Sequence, residues 1–410
     1  MGMGMESWIA AAGGPWNVAG FAVTGCCALV GHVVLWTFLV NQVSARDFPS
    51  FVTRSAEKGF LLIAAAGPAI VGLGWFESAF GDRSASHVRS IAFSAYAYAC
   101  ALVMLGAAAR VATRRWWSTE VRVPTSRRVR AIRRDDGSRP VLGAMTRVLA
   151  ALPMNEICEL EINEKHLRIP GMSAELDGFT IAHLSDLHIT GRMDRDFYRR
   201  VVHETLALNA ESIAVTGDII DVARHIDWLD LLGGLQAENG VYFVLGNHDK
   251  RVGHVEIVRR RLRARGWTSI GGIAAHAAWR GRTVLIAGNE MPWIGPPPSE
   301  PLPPGPAALR VALIHSPDQL PWARRLGFQL ALAGHTHGGQ VRLPGVGAVL
   351  TPSRNGTRYA CGVFYERPTA LHVSRGISAL HPVRFGCRPE LTRLILRSVP
   401  APDHGSADTR

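Results

Sequence analysis

Cysteine is scarce in this 410-residue chain and follows no pattern. Cys26, Cys27, Cys100, Cys158, Cys361 and Cys387 are scattered, and no C-x-x-C pair occurs. That excludes a zinc-finger site and argues against a disulfide framework, with Cys361–Cys387 the one bridge left as a minor alternative. Lys and Arg are absent from residues 1–17. The first apolar run therefore lacks the positive n-region of a secretory signal and is too long for one, so a retained helix is expected. Net charge is also missing from residues 1–109, where Arg46, Arg54, Lys58, Arg83 and Arg89 balance Glu6, Asp47, Glu57, Glu77 and Asp82.

What fills residues 1–109 instead is apolar sequence. Three segments, about 18–40, 59–80 and 91–109, approach the ~20 residues needed to cross ~30 Å of hydrocarbon. His32 interrupts the first and Pro68 the second, which neighbouring helices can accommodate. His32 and Glu77 are read as interior-facing or snorkelling side chains, because no chain of ionisable partners accompanies them. Small residues at Ala95/Ala99 and Ala97/Ala101 suit close helix packing. Arg110, Arg114 and Arg115 directly after the third segment favour an outside amino terminus and a cytoplasmic carboxyl-terminal domain, at a bacterial inner membrane.

Positive charge is concentrated just beyond. Residues 110–139 hold ten Arg against Glu120, Asp135 and Asp136, a net of +7 within a total of +12. Because this cluster begins one residue after an apolar segment, anionic lipid headgroups are its expected partner, at ~1 kcal/mol per basic residue. Nucleic acid is not expected. Residues 110–155 thus read as a basic linker ending in a short interfacial helix at 141–151, and residues 399–410 as a disordered tail.

From about residue 156 the pattern turns globular. Short apolar runs at Thr180–His183, Ser212–Val215, Val241–Leu245, Thr283–Ala287, Arg310–Ile314 and Leu330–Ala333 predict buried strands. Helical stretches at Asp194–Leu208 and His254–Arg265 lie between them, which argues for an α/β core. Such sheets gather ligands at the carboxyl ends of their strands. Five of the six runs lead straight to chemistry-bearing residues: Ser185-Asp186-Leu187-His188, Gly217-Asp218-Ile219-Ile220-Asp221, Gly246-Asn247-His248-Asp249, His315 and Gly334-His335-Thr336-His337-Gly338. Carboxylates, imidazoles and one amide in this mixture can hold two divalent cations side by side, and paired cations point to phosphate ester chemistry. No Cys takes part, so a soft metal is disfavoured; O and N donors suit Mn, Fe, Zn or Mg.

In order and type, these motifs resemble the calcineurin-like metallophosphoesterase superfamily over about residues 156–398. The segments around Asp186 and His335, with the tail Ser374-Arg375-Gly376, Pro382-Val383-Arg384-Phe385 and Cys387-Arg388-Pro389-Glu390, look most like its bacterial, often membrane-associated phosphodiesterase branch. The resemblance implies a four-layer α/β/β/α sandwich. It implies one metal on Asp186, His188 and His337, a second on Asn247, His315 and His335, and Asp218 bridging both. It further implies attack on phosphorus by a hydroxide held between the metals, with His248 as proton donor oriented by Asp221, and Asp249 supporting its loop. The expected activity is hydrolysis of phosphodiester or pyrophosphate bonds, in a lipid-linked substrate suggested by the anchor. A nuclease or nucleotide phosphodiesterase of the same superfamily, or a non-catalytic membrane scaffold, are the alternatives. The other eleven histidines read as core or surface residues, the Arg259–Arg265 run as a solvated face, and Arg375 equally as a phosphate contact or an ion pair.

Overall fold

The computed structural model describes residues 15–80, 87–113, 116, 118–379 and 381–400. Asp82, Arg83, Arg114, Arg115 and the expected tail beyond residue 400 lie outside the described residues. The chain divides into two compact units, Met1–Ser118 and Thr119–Arg410.

The first unit is helical: α1 (Pro15–Ser44), α2 (Ser50–Phe80) and α3 (His87–Ala112). Among the described residues two stretches, Val23–Ser44 and Ser94–Ala112, are long and apolar enough to cross a bilayer. The expected middle span, 59–80, lies inside α2, and part of its side chains fall outside the described set. Large apolar side chains such as Leu62, Ile91 and Leu102 point outward, the reverse of a soluble bundle. Polar contacts are turned inward. His32 is buried, with Nδ1 2.8 Å from Tyr96 OH and Nε2 3.0 Å from the Ile63 carbonyl. A Cβ at Gly31 would meet the Cys100 carbonyl oxygen at 1.7 Å, so glycine is what lets α1 and α3 touch.

The second unit is built on two sheets. The first orders β1 (Thr125–Ala131), β2 (Glu159–Pro170), β15 (Glu390–Val399), β3 (Thr180–Leu184), β4 (Ser212–Thr216), β5 (Val241–Val244) and β6 (Thr268–Ser269). The second orders β13 (Gly362–Glu366), β14 (Thr369–Val373), β10 (Leu330–Ala333), β9 (Leu309–Ile314), β8 (Arg282–Asn289) and β7 (Ala274–Trp279). A small hairpin pairs β11 (Arg342–Leu343) with β12 (Gly347–Ala348). Alternation within strands explains the layering. Ala214, Val311 and Leu313 face the inter-sheet core with Val284, Ile286 and Leu394. Ile213 and Val215 face outward onto α5 (Arg195–Leu206) and α6 (Val255–Arg263). Ala312 and Ile314 face outward onto α7 (Leu320–Arg325). The result is the α/β/β/α sandwich.

All six apolar runs became strands: β3, β4, β5, β8, β9 and β10. The linker expectation over 110–155 does not hold beyond Ser118. Thr119–Val121 pairs with β13, and β1 pairs antiparallel with β2 in the register Thr125↔Lys165. Arg127, Arg128 and Arg130 are exposed on an edge strand, where charge is tolerated and blocks further pairing. The short helix α4 (Ala144–Ala151) forms where an interfacial helix was expected.

Candidate metal centre

β3, β4 and β5 run parallel in one sheet, and β9 and β10 in the other, so their carboxyl ends open at one edge of the sandwich. The loops leaving those ends are knitted by main-chain bonds. Asp186 N donates to Gly217 O at 3.0 Å and His188 N to Asp218 O at 2.9 Å. Space there is tight: a Cβ on Gly217 would lie 2.4 Å from His315 Nδ1. Asp186, His188, Asp218, His335 and His337 all adopt positive φ, between 44° and 68°. Non-glycine residues rarely do so, and the strain is concentrated where side chains must be aimed.

The sequence-predicted residues converge. Ligand atoms of Asp186, His188, Asp218 and His337 lie within 4.8 Å of one another, as do those of Asp218, His315 and His335. Asp218 belongs to both groups. Asn247 joins the second, its Oδ1 3.1 Å from His315 Nε2. His188 Nε2 and His337 Nε2 are 3.0 Å apart, and His335 Nδ1 is 3.1 Å from His315 Nε2.

The direction of lone pairs tests the fit to metal. His315 Nδ1 faces the Thr216 carbonyl at 2.7 Å, which can only accept. Its proton therefore sits on Nδ1, and the Nε2 lone pair faces Asn247 Oδ1 and, at 3.4 Å, Asp218 Oδ1. Nε2 and the two oxygens thus converge on one point, where a bound cation would take all three as donors. His188 repeats the pattern: Nδ1 faces Asp221 Oδ2 at 2.8 Å, so its Nε2 turns inward toward Asp218 Oδ2 at 3.7 Å. Imidazoles oriented this way from behind are poised for cations. His335 brings Nδ1 to the same point, 3.1 Å from His315 Nε2. The oxygen and nitrogen donors fit two divalent metal ions of the Mn, Fe, Zn or Mg kind.

Electrostatics agree. Burial opposes charge on His188, but Asp221, Asp218 and Asp186 outweigh it and raise its pKa to about 9. His315 is raised to about 9 against the same burial cost, by Asp218 and Asp186. Burial, reinforced by neighbouring Asp218, pushes the Asp186 carboxyl up. Each shift reports crowded negative charge.

Beside this cluster, Asp221 holds His248 Nδ1 through its other oxygen, and Arg251 Nη1 is 3.3 Å from His248 Nε2. Asp249 accepts from Ile219 N, Ile220 N and Gly246 N, at 3.0, 2.9 and 2.8 Å, and so ties two motif loops together.

Three neighbours were given no role from the sequence. Fully buried Arg384 sets Nη2 3.4 Å from His337 Nδ1 and donates to Ser378 O. Trp293 sets its ring at a tilt against His335, the centroids 4.7 Å apart. Glu290 accepts from Leu245 N at 2.6 Å and pairs with Arg259. That last pair corrects the solvated-face expectation at Arg259, which the Glu290 carboxylate just past β8 draws inside, while Arg260 and Arg263 stay exposed. Arg375 is buried in ion pairs with Glu161 at 2.7 Å and Glu390 at 3.3 Å, so the ion-pair reading stands. Cys361 and Cys387 are free thiols.

A family model described as calcineurin-like phosphoesterase matches residues 179–339. The chain is 31% identical over 231 residues to Phosphodiesterase YaeI of Escherichia coli, spanning 53% of this chain and 82% of that one. It is 28% identical over 251 residues to an uncharacterised metallophosphoesterase, YkuE, of Bacillus subtilis, spanning 58% and 86%. A zebrafish transmembrane protein with metallophosphoesterase domain is 26% identical over 269 residues, spanning 58% and 57%.

Proposed function

Because the chain belongs to the calcineurin-like phosphoesterase family, we propose that it is a membrane-anchored hydrolase of phosphodiester or pyrophosphate bonds in a lipid-linked substrate. Hydrolysis of phosphoric esters follows from the family; the anchor, the substrate class and the residue roles are the proposal. Asp186, His188 and His337 would hold one divalent ion, Asn247, His315 and His335 the other, with Asp218 shared. The carrying observation is that His315 and His188 each turn Nε2 onto this one carboxylate, one at each of its oxygens. The pair of ions, when bound, activates water and offsets charge on the phosphoryl oxygens.

The chain's own residues do the rest. Asp221 fixes both His188 and His248, so metal shell and proton donor share one orienting carboxylate. His248 stands at the rim, partly accessible, where a leaving oxygen needs a proton. Asp249 keeps the Asp218 and Asn247 loops in register. Support for an anchor comes from the two outward-apolar stretches and from relatives named as transmembrane proteins. The excess of Arg after the last stretch supports a cytoplasmic catalytic unit.

The test is a metal-titrated activity panel on the full chain. Asp218→Asn should lower turnover of a generic phosphodiester by about 10³-fold or more and reduce bound metal, since one change disturbs both shells. His248→Gln should keep its metal and lose about 10²–10⁴-fold in kcat. Full activity and metal in Asp218→Asn would overturn the assignment. A strong preference for soluble nucleotides over detergent-solubilised lipid phosphates would remove the lipid substrate.

A further inference from the structure

Two segments of the catalytic unit carry their apolar side chains outward. In α4 the buried residues are Thr146 and Ala150. Its outer side shows Met145 and Val148, 68% and 61% exposed, flanked by Leu142, Leu152 and by Met154 at 81%. This helix is inside out for a soluble domain. The β11–β12 hairpin does the same with Val341, Leu343, Val346 and Leu350.

Both segments hang on one stretch of chain. Asn155 Nδ2, just past α4, donates to the Leu149 carbonyl at 2.7 Å and to the Pro382 carbonyl at 2.8 Å. On the hairpin side Arg342 N donates to Phe385 O, and Phe385 N to Gln340 O, both at 2.9 Å. Between those attachment points lies Arg384, the residue that braces His337. The two apolar segments therefore flank the strut behind the metal centre, on its end of the sandwich.

Their charge is one-sided. Residues 141–155 contain Arg147 and no carboxylate; residues 341–353 contain Arg342 and no carboxylate. Contiguous exposed apolar surface of this kind marks a contact site. Arg147 is exposed, and a two-fold dimer through this surface would bring it near its own copy with no carboxylate in either segment to offset it. An anionic bilayer surface answers both features, taking the apolar side chains about 5–10 Å into the headgroup boundary and pairing Arg147 with phosphates.

We propose that α4 and the β11–β12 hairpin form a membrane-docking rim that seats the metal-centre end of the catalytic unit on the lipid surface. It rests on the anchored reading given above and adds to it that the active-site mouth meets lipid directly. The substrate then needs to rise only a short way out of the headgroup layer.

Spin labels on Met145→Cys, Val346→Cys and Gln236→Cys in the full chain, reconstituted into vesicles containing phosphatidylglycerol, test this. The parent protein labelled in parallel is the blank. Gln236 is exposed and precedes β5, at the opposite end of the parallel strands. The expected result is about tenfold greater exposure to oxygen than to an aqueous nickel relaxant at 145 and 346, with the reverse at 236. Aqueous behaviour at all three positions in protein that stays embedded would overturn the docking rim and leave the anchor intact. Protein washed off by carbonate would overturn the anchor itself. Label–label broadening at 145 that disappears on dilution with unlabelled chain would replace the bilayer with a second copy.

Discussion

At the carboxyl ends of β3, β4, β9 and β10, buried carboxylates and imidazoles converge on one point; between β2, β15 and β14 buried charges of opposite sign pair off. In that second cluster Lys165 Nζ lies 2.6 Å from Glu390 Oε1 and 3.0 Å from His372 Nε2. His372 Nδ1 lies 2.8 Å from His183 Nδ1, and His183 Nε2 lies 2.9 Å from Thr216 Oγ1. Asn163 donates to Glu390, and Arg375 pairs with Glu161 and Glu390. Two cations, Lys165 and Arg375, match two carboxylates, so the seam is neutral without help. At the strand ends Asp186, Asp218, Asp221 and Asp249 outnumber Arg384, and imidazoles are locked with nitrogens inward. Both clusters are largely buried, the metal end more completely. What separates a site from a structural network is whether its members satisfy one another.

The sharpest way to break this comparison is to unbalance the seam. Lys165→Met leaves Glu390 buried beside Glu161 with Arg375 alone, and removing one partner of a buried pair costs about 3–5 kcal/mol. Denaturant unfolding of the catalytic unit in the solubilised full chain should show that loss, with bound metal unchanged in the folded fraction. Equal stability would mean that the seam contributes little.

The metal end should respond to the opposite treatment. Chelation leaves the seam untouched but removes the groups that the inward lone pairs require. At metal concentrations 100 times the dissociation constant, each ion stabilises by about 2.7 kcal/mol. The unfolding midpoint should therefore fall with chelator in wild type and much less in Asp218→Asn. A midpoint indifferent to chelator would sink the claim that the cluster depends on cations.

The two clusters also differed in how far they could be read beforehand. Asp186, His188, Asp218, Asn247, His315, His335 and His337 were legible because each follows a short apolar run. A strand of 4–6 residues ends where its ligand must be, and the order of residue types is rare. The seam was not legible. Lys165 and Glu390 lie 225 positions apart, and each reads alone as an ordinary charged residue. Arg384 and Trp293 were missed for the same reason, since they act only through the imidazoles they touch. β1 was misread as linker because its exposed Arg residues mask the pairing of its backbone with β2, which leaves no apolar period. Fold and ligands are local in sequence; bracing is tertiary.

Acid should expose the smallest difference. Burial holds the His183 pKa down at about 3, and Lys165 adds to the effect against Glu390. His372 is also depressed, by burial and then Lys165 and His183. The sign follows from proton counts. Between pH 6.5 and about 3 the unfolded chain binds protons at His183 that the folded chain refuses, so stability falls as pH falls through that window. Between pH 6.5 and 5 the loss from His183 alone is about 1–2 kcal/mol. Metal release also weakens the protein in acid, so the informative quantity is a difference. His183→Gln, measured with chelator present throughout, should lose that much less than wild type over the same interval. Parallel pH curves would mean that His183 takes up its proton inside the fold, and that the seam is open to charge in a way its geometry denies.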